Sequence, residues 1–256
     1  MGKITETVKI LLIINVIFYL GSMFVIDSNQ AMEWFALWYF EHPGFQFWQP
    51  LTHMFMHDLS SPFHLIFNMY ALWMFGSSIE QVLGQKRFIF FYFSAGLGAA
   101  LIHSLVNYYN FTLDMQAFMD LGFTSGEIQG WLKDAVIPGS YINGQGMNGL
   151  VIPEALSQDF FNSYNIPAVG ASGAIYGVLV AFGMLFPNAS LGLIFVPIPI
   201  KAKYFIPGLL LIDLFSGVTG FSIFGANIAN WAHIGGALFG FIVMWYWKKN
   251  GMNTYN

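Results

Sequence analysis

Long apolar runs recur along this chain and constrain its fold more than any other feature. Inside a bilayer the backbone must satisfy its own hydrogen bonds, so such runs cross as helices. The composition agrees, since 56% of the residues are hydrophobic and only 9% are charged. The sequence therefore predicts an all-α membrane protein, a six-helix bundle forming a single domain over residues 1–256. The six expected spans are about 10–26, 62–83, 88–106, 168–186, 204–221 and 228–247.

The Lys and Arg residues predict how these spans are oriented. Of the nine in the chain, all but Lys133 fall on one face when six spans are threaded. Positively charged short loops favour the cytoplasmic side, which predicts that both termini are cytoplasmic. The expected location is a bacterial inner or plasma membrane. On this threading the second, fourth and sixth helices enter the bilayer from the outer face.

Two segments between the spans are expected to differ from the bundle. Residues 27–61 are rich in aromatic residues but are interrupted by polar ones and Pro43, which is typical of a loop at the membrane interface. Residues 107–167 form the one long hydrophilic stretch and are predicted to be an insertion outside the membrane. Within it, residues 113–135 are expected to form one or two amphipathic helices.

A serine and a histidine occupy matching positions near the outer ends of two apolar runs. Ser172 lies between Gly170 and Gly173 and is expected about one helical turn, roughly 4–6 Å, below the start of the fourth span. His233 is predicted at the same depth in the sixth span. Such a pair is typical of a nucleophile and its general base.

Further residues in the same three spans could assist this pair. His64 and Asn68, four residues apart on one face of the second helix, could donate hydrogen bonds to a developing oxyanion together with the Ser172 backbone N–H. Tyr176 follows Ser172 by four residues and is expected against the ring of His233.

Small residues repeat at a spacing that lets helices pack closely in lipid. Gly173 and Gly177 form one such ridge, and Gly236 and Gly240 form another. Contact between the two ridges would bring the fourth and sixth helices together and place the hydroxyl within reach of the imidazole.

The chain contains motifs by which it resembles the rhomboid family of intramembrane serine proteases. The resemblance rests on three motifs in the family's order: H-x-x-x-N at His64 to Asn68, G-x-S-G-x-x-Y-G at Gly170 to Gly177, and A-H-x-G-G-x-x-x-G at Ala232 to Gly240. It covers about residues 10–247, apart from the long insertion.

The resemblance implies a role for each matching residue. Ser172 would be the nucleophile and His233 the general base, in a dyad without an acidic third member. His64 and Asn68 would be the side chains of the oxyanion hole. The family implies single-span membrane proteins as substrates, cut near the outer boundary of the lipid bilayer. No cofactor, metal or nucleic acid is expected. Oligomeric state stays open.

Two alternatives remain beside the protease. A catalytically inactive rhomboid-like protein that binds membrane proteins would share the fold, although intact Ser172 and His233 favour the enzyme. A polytopic transporter could bury ionisable residues along a conduction path, but the sequence lacks repeated halves.

Asp213, deep in the fifth span, is predicted to be a neutral, hydrogen-bonded carboxyl, with a proton relay as the alternative. His53 and His57 have the spacing of metal ligands but lack the His-Glu-x-x-His pattern, so no metal site is expected.

Overall fold

The computed structural model describes residues 3–133, 154–193, 196–221 and 229–251. The middle of the predicted insertion and the expected start of the sixth span at Ile228 lie outside these ranges. The described helices are α1 (Glu6–Phe24), α2 (Ser28–Phe35), α3 (Gln49–Thr52), a 3₁₀ turn (His53–Phe55), α4 (Pro62–Ala71), a π segment (Leu72–Gly76), α5 (Ser77–Leu83), α6 (Gln85–Asp120), α7 (Ser125–Lys133), α8 (Glu154–Asn165), α9 (Ser172–Leu185), α10 (Ala202–Thr219) and α11 (Asn230–Lys249).

The helices form an apolar bundle whose outer surface suits lipid. Among the described residues, α1, α6 and α10 are long and apolar enough to cross a membrane, and α9 is a shorter apolar helix. Large apolar side chains point outward from them, including Phe24 of α1, which is 76% exposed, and Val218 of α10, which is 69% exposed. The predicted all-α membrane fold is confirmed. The count of six spans and the side of the termini stay predictions.

The predicted second span is built from three consecutive pieces, α4, the π segment and α5. Pro62 occupies its first turn, where a missing N–H does no harm. The run ends at Gly84, whose φ of 75° suits glycine best. Near that end the buried Glu80 carboxylate accepts hydrogen bonds from the Thr5 hydroxyl and from the backbone N–H groups of Thr7 and Val8. It thereby caps α1 and ties the first two spans together.

Helix α6 continues well past the predicted end of the third span near residue 106. Its 36 residues correspond to about 54 Å, against about 30 Å for the hydrocarbon core of a bilayer. No glycine or proline interrupts the helix between residues 101 and 120, so nothing in the backbone stops it at the membrane boundary. The extension carries the first part of the predicted insertion away from the bundle.

A second apolar core forms where this extension meets α7, α8 and the first loop. Phe111 of α6 stacks on Phe160 of α8, with ring centroids 5.2 Å apart. Tyr39 of the first loop and Trp131 of α7 are buried in the same cluster. The insertion therefore packs on the aromatic first loop.

A two-stranded antiparallel hairpin, which the sequence analysis did not predict, joins α9 to α10. Strand β1 (Ser190–Leu193) pairs with β2 (Val196–Lys201), with Ser190 opposite Lys201 and Leu191 opposite Ile200. It lies at the opposite end of α9 from Ser172, and so does not contribute to the site described below.

Candidate active site

Ser172 is the first residue of α9, and not one turn inside the helix as predicted. The residues just before Ser172 make backbone hydrogen bonds to the first loop and therefore do not join the helix. Ala168 and Leu37 exchange two backbone hydrogen bonds of 2.9 Å. Gly170 donates its N–H to the His53 carbonyl at 3.0 Å and has a φ of 126°, which keeps it out of the helix. The serine is therefore held by the first loop on one side and begins a helix on the other.

The imidazole of His233 reaches the Ser172 hydroxyl directly. Its Nε2 lies 2.9 Å from Ser172 Oγ, within the range of a good hydrogen bond. His233 is in the first turn of α11 and is 9% exposed. Thus the structure brings together the two residues that the sequence analysis placed at one depth.

The two glycine ridges make this approach possible. A methyl group at Gly236 would overlap the carbonyl oxygen of Gly173, and one at Gly177 would lie 2.9 Å from the carbonyl oxygen of Gly236. Gly240 lies against the backbone of Gly177 in the same seam. Helices α9 and α11 are therefore in backbone contact, with no room for larger side chains between them.

The other nitrogen of the His233 ring faces an acid. His233 Nδ1 lies 3.0 Å from Oδ1 of Asp213, a residue of α10 that is 2% exposed. Tyr176 covers one face of the ring, with centroids 4.0 Å apart and planes inclined by 8°. The second carboxylate oxygen of Asp213, Oδ2, is buried without a hydrogen-bond partner among the described residues. Sequence reasoning singled out Asp213 but did not find its partner; its one signal was an acidic residue inside an apolar run.

A second imidazole approaches Ser172 from α4. The backbone N–H of Asp58 donates to Nδ1 of His64 at 3.3 Å, so the ring hydrogen of neutral His64 is on Nε2. A methyl group at Gly170 would lie 3.1 Å from His64 Nε2 and 3.5 Å from Ser172 Oγ. The missing side chain of Gly170 therefore leaves a space bordered by the nucleophile and a ring N–H.

Asn68 is buried one turn beyond His64, and one hydrogen of its side-chain amide already makes a hydrogen bond. Its Nδ2 donates to the His64 carbonyl at 3.0 Å. In the described part of the chain no hydrogen bond joins Asn68 to Ser172. One of its two amide hydrogens remains for another acceptor.

Two histidines of the first loop, His53 and His57, lie near the site as neutral rings. His57 meets His64 edge to face, with centroids 5.2 Å apart. Burial and, to a lesser degree, the neighbouring His64 lower the pKa of His57 to about 3, so it carries no charge near neutral pH. Burial likewise lowers the pKa of His53 to about 4. Within the described residues, no group of three or more His, Cys, Asp or Glu side chains is arranged to hold a metal.

A polar cavity of about 550 Å³ opens between α6, α8 and the ends of α10 and α11. Asn107, Asp114 and Asp159 line it, as does His103, which interacts with His233. The cavity therefore places a polar space close to the base.

Comparison with known proteins gives one family and several relatives. The family model described as Rhomboid domain matches residues 44–138 and 139–250. The presenilin-associated rhomboid-like protein, mitochondrial, of Mus musculus is 29% identical over 187 residues, which are 73% of this chain and 34% of that protein. The Homo sapiens protein of the same name has the same identity and coverage. Rhomboid protein 1, mitochondrial, of Saccharomyces cerevisiae is 25% identical over 186 residues, 73% of this chain and 38% of that protein.

These relatives correct one expectation. The bacterial cell membrane expected from the sequence is wrong, because the relatives are mitochondrial proteins of animals and yeast. The chain spans about a third of the length of the curated relatives it matches.

Proposed function

Because this chain belongs to the rhomboid family, whose members are in general serine proteases of membranes, we propose that it is an intramembrane serine endopeptidase. Rhomboid proteases act on membrane proteins within the bilayer, and the proposed substrates are single-span proteins cut near the outer membrane boundary, where Ser172 is expected to lie. The observation that carries the proposal is the 2.9 Å contact between Ser172 Oγ and His233 Nε2 inside an apolar bundle.

The proposed reaction is acyl transfer through the serine. Ser172 Oγ attacks the scissile carbonyl carbon, its proton passes to His233 Nε2, and the carbonyl π electrons move to the oxygen. The C–N bond then breaks as His233 returns the proton to the leaving amine. Water, for which the polar cavity beside His103 offers a route, next attacks the acyl carbon and gives a proton to His233. The Ser172 oxygen leaves and takes that proton back.

Donors to the developing oxyanion stand on two helices. The backbone N–H of Ser172, at the start of α9, has no carbonyl partner within its own helix. The Nε2–H of His64 borders the same space, and Asn68 keeps one free amide hydrogen. Donors fixed before the reaction can stabilise the charge as it forms.

The chemistry of a helix in lipid supports the proposed substrate class. A transmembrane helix hides its carbonyl groups in its own hydrogen bonds, so a nucleophile reaches them only after local unwinding. Residues that weaken a helix near the membrane boundary therefore favour cleavage.

The test is to reconstitute the protein in liposomes with a panel of single-span proteins and to map the cut sites by mass spectrometry. Wild type should cleave a subset and react with a fluorophosphonate probe at Ser172, whereas Ser172→Ala should do neither. Ser22→Ala is a matched control, because Ser22 is also buried in a membrane helix but lies on α1. A wild-type protein that captures single-span proteins without cutting or labelling would be a binding factor, and the protease proposal would be wrong.

A further inference from the structure

Asp213 lies outside every motif that carries the family resemblance, yet it contacts the proposed base. It is buried in α10, and its Oδ1 is 3.0 Å from His233 Nδ1. In the described residues the only partner within ion-pair distance is this histidine. An ionisable side chain inside a membrane helix is costly to bury, so it points to function unless another reason is found.

We propose that Asp213 is a positioning residue that completes a Ser172–His233–Asp213 triad, where the family resemblance implies only a dyad. The inference rests on the proposed protease function and deepens it. The carboxylate accepts the Nδ1–H of His233, which leaves the lone pair of Nε2 facing Ser172 Oγ. His233 is thus held in the one neutral tautomer that can accept the serine proton.

The same contact stabilises the charged state of the base. When the Ser172 proton moves to Nε2, an imidazolium forms against the carboxylate while the acid keeps its own charge and takes no proton. In a low-dielectric interior such a charge needs a partner of opposite sign. Asp213 therefore acts on both the resting tautomer and the transition state.

No other described group facing His233 can replace this carboxylate. Tyr176 covers the ring from α9, while His103 and His64 approach from α6 and α4. These three are neutral or cationic near neutral pH, so Asp213 supplies the negative charge.

A purely structural role predicts a different outcome. Helices α10 and α11 are also joined by the Trp231 indole N–H, which donates to the Gly217 carbonyl at 3.2 Å. If Asp213 only tied these helices together, asparagine would serve almost as well, because its amide can still bond the ring. An amide cannot compensate the imidazolium charge, and when its NH₂ faces Nδ1 it selects the wrong tautomer.

The first experiment measures fluorophosphonate labelling of Ser172 in liposomes as a maximal rate constant and an apparent affinity. Asp213→Asn should lower the rate constant about 10²- to 10⁴-fold, with affinity and thermal stability close to wild type. Ser216→Ala, which removes another buried polar group one turn along α10, should leave the rate unchanged. Wild-type labelling by Asp213→Asn would overturn the inference without touching the protease proposal, whereas no labelling of wild type would overturn the protease itself.

The second experiment uses the wild-type protein, so it does not depend on whether an Asp213 variant folds. Two-bond ¹H–¹⁵N spectra of the wild-type protein labelled with ¹⁵N-histidine report the tautomer of each ring, and the His233 signals are those lost in His233→Gln. The inference requires a hydrogen on Nδ1 and a bare Nε2. The Nε2–H tautomer in wild type would refute it.

Discussion

The two imidazole rings beside Ser172 are chemically identical groups held in opposite ways. At His64 the nitrogen away from the site accepts a backbone hydrogen bond from Asp58, so the nitrogen facing the site is a donor. At His233 the nitrogen away from the site faces the carboxylate of Asp213, so the nitrogen facing Ser172 is an acceptor. The partner of the non-reacting nitrogen thus decides whether a histidine can stabilise an oxyanion or act as a base.

The two rings also differ in burial and in packing. His64 is half-buried at the start of α4, next to the exposed Asp58. His233 stands in the seam where α9 and α11 meet through glycines. We therefore expect the base to depend strongly on helix packing, and the donor to depend mainly on keeping an N–H group.

The largest expected loss of activity comes from replacing each histidine by glutamine in a separate variant. Glutamine offers an N–H donor but no basic nitrogen. His233→Gln should lower cleavage of single-span substrates by about 10⁴-fold or more, while His64→Gln should stay within about 10-fold of wild type. Adding Ser172→Ala to His233→Gln should cause no further loss, because the pair acts as a unit. Equal losses at both rings would erase the distinction between donor and base.

The donor side is tested next by removing the donors themselves. His64→Ala and Asn68→Ala should each lower the maximal labelling rate by about 10²-fold, with little change in affinity for the probe. Asn15→Ala is the matched control, since Asn15 is also buried in a membrane helix and donates to the carbonyl four residues earlier, in Leu11. If Asn68→Ala behaves like Asn15→Ala, Asn68 only stabilises its own helix.

The base side is tested by moving its helix. Gly236→Leu should push α11 away from α9 and so separate His233 from Ser172, and a displacement of about 1 Å can cost about 10²-fold in rate. Gly21→Leu is the control, because a side chain at Gly21 of α1 would meet no atom within 4 Å. Labelling of Gly236→Leu at the wild-type rate would show that the seam does not set the distance between the two side chains.

The smallest effect is expected at the ring that covers His233. Tyr176→Phe keeps the stacked ring and removes only the hydroxyl, so labelling should stay within about 3-fold of wild type. Tyr176→Leu removes the stacking, which is worth about 0.5–1.5 kcal/mol, and should lower the rate up to about 10-fold. Comparing the labelling rates of the two variants distinguishes the contribution of the aromatic ring from that of the hydroxyl. A larger loss in Tyr176→Phe than in Tyr176→Leu would show that the hydroxyl, and not the ring, supports His233.

Much of the site could be predicted because it is encoded locally. The apolar runs give the membrane class, and each motif fixes which residues share a helix face near one end of a span. The resemblance to rhomboid proteins, which the comparisons confirm, rests on the same local motifs. The glycine spacing likewise marks the faces on which α9 and α11 meet.

What the sequence could not predict depends on contacts between distant segments. The rotation of α10 about its axis decides whether Asp213 faces lipid or His233, and no periodic pattern in an almost wholly apolar helix reveals it. The pairing of Leu37 with Ala168 involves a single residue on each side, too short to leave an alternating pattern. It nevertheless moves the start of the helix to Ser172. Hydropathy also does not distinguish one cellular membrane from another, which is why the expected location was wrong.

The backbone bonds from Leu37 to Ala168 and from His53 to Gly170 bear on how such a protein can change over evolution. They hold the chain just before Ser172 in place. The position of the nucleophile therefore does not depend on the length of the upstream insertion. Each doubling of a flexible loop adds only about 0.6 kcal/mol of closure entropy. An insertion at this point can therefore lengthen, shorten or acquire a new surface while the chemistry beside it is inherited unchanged.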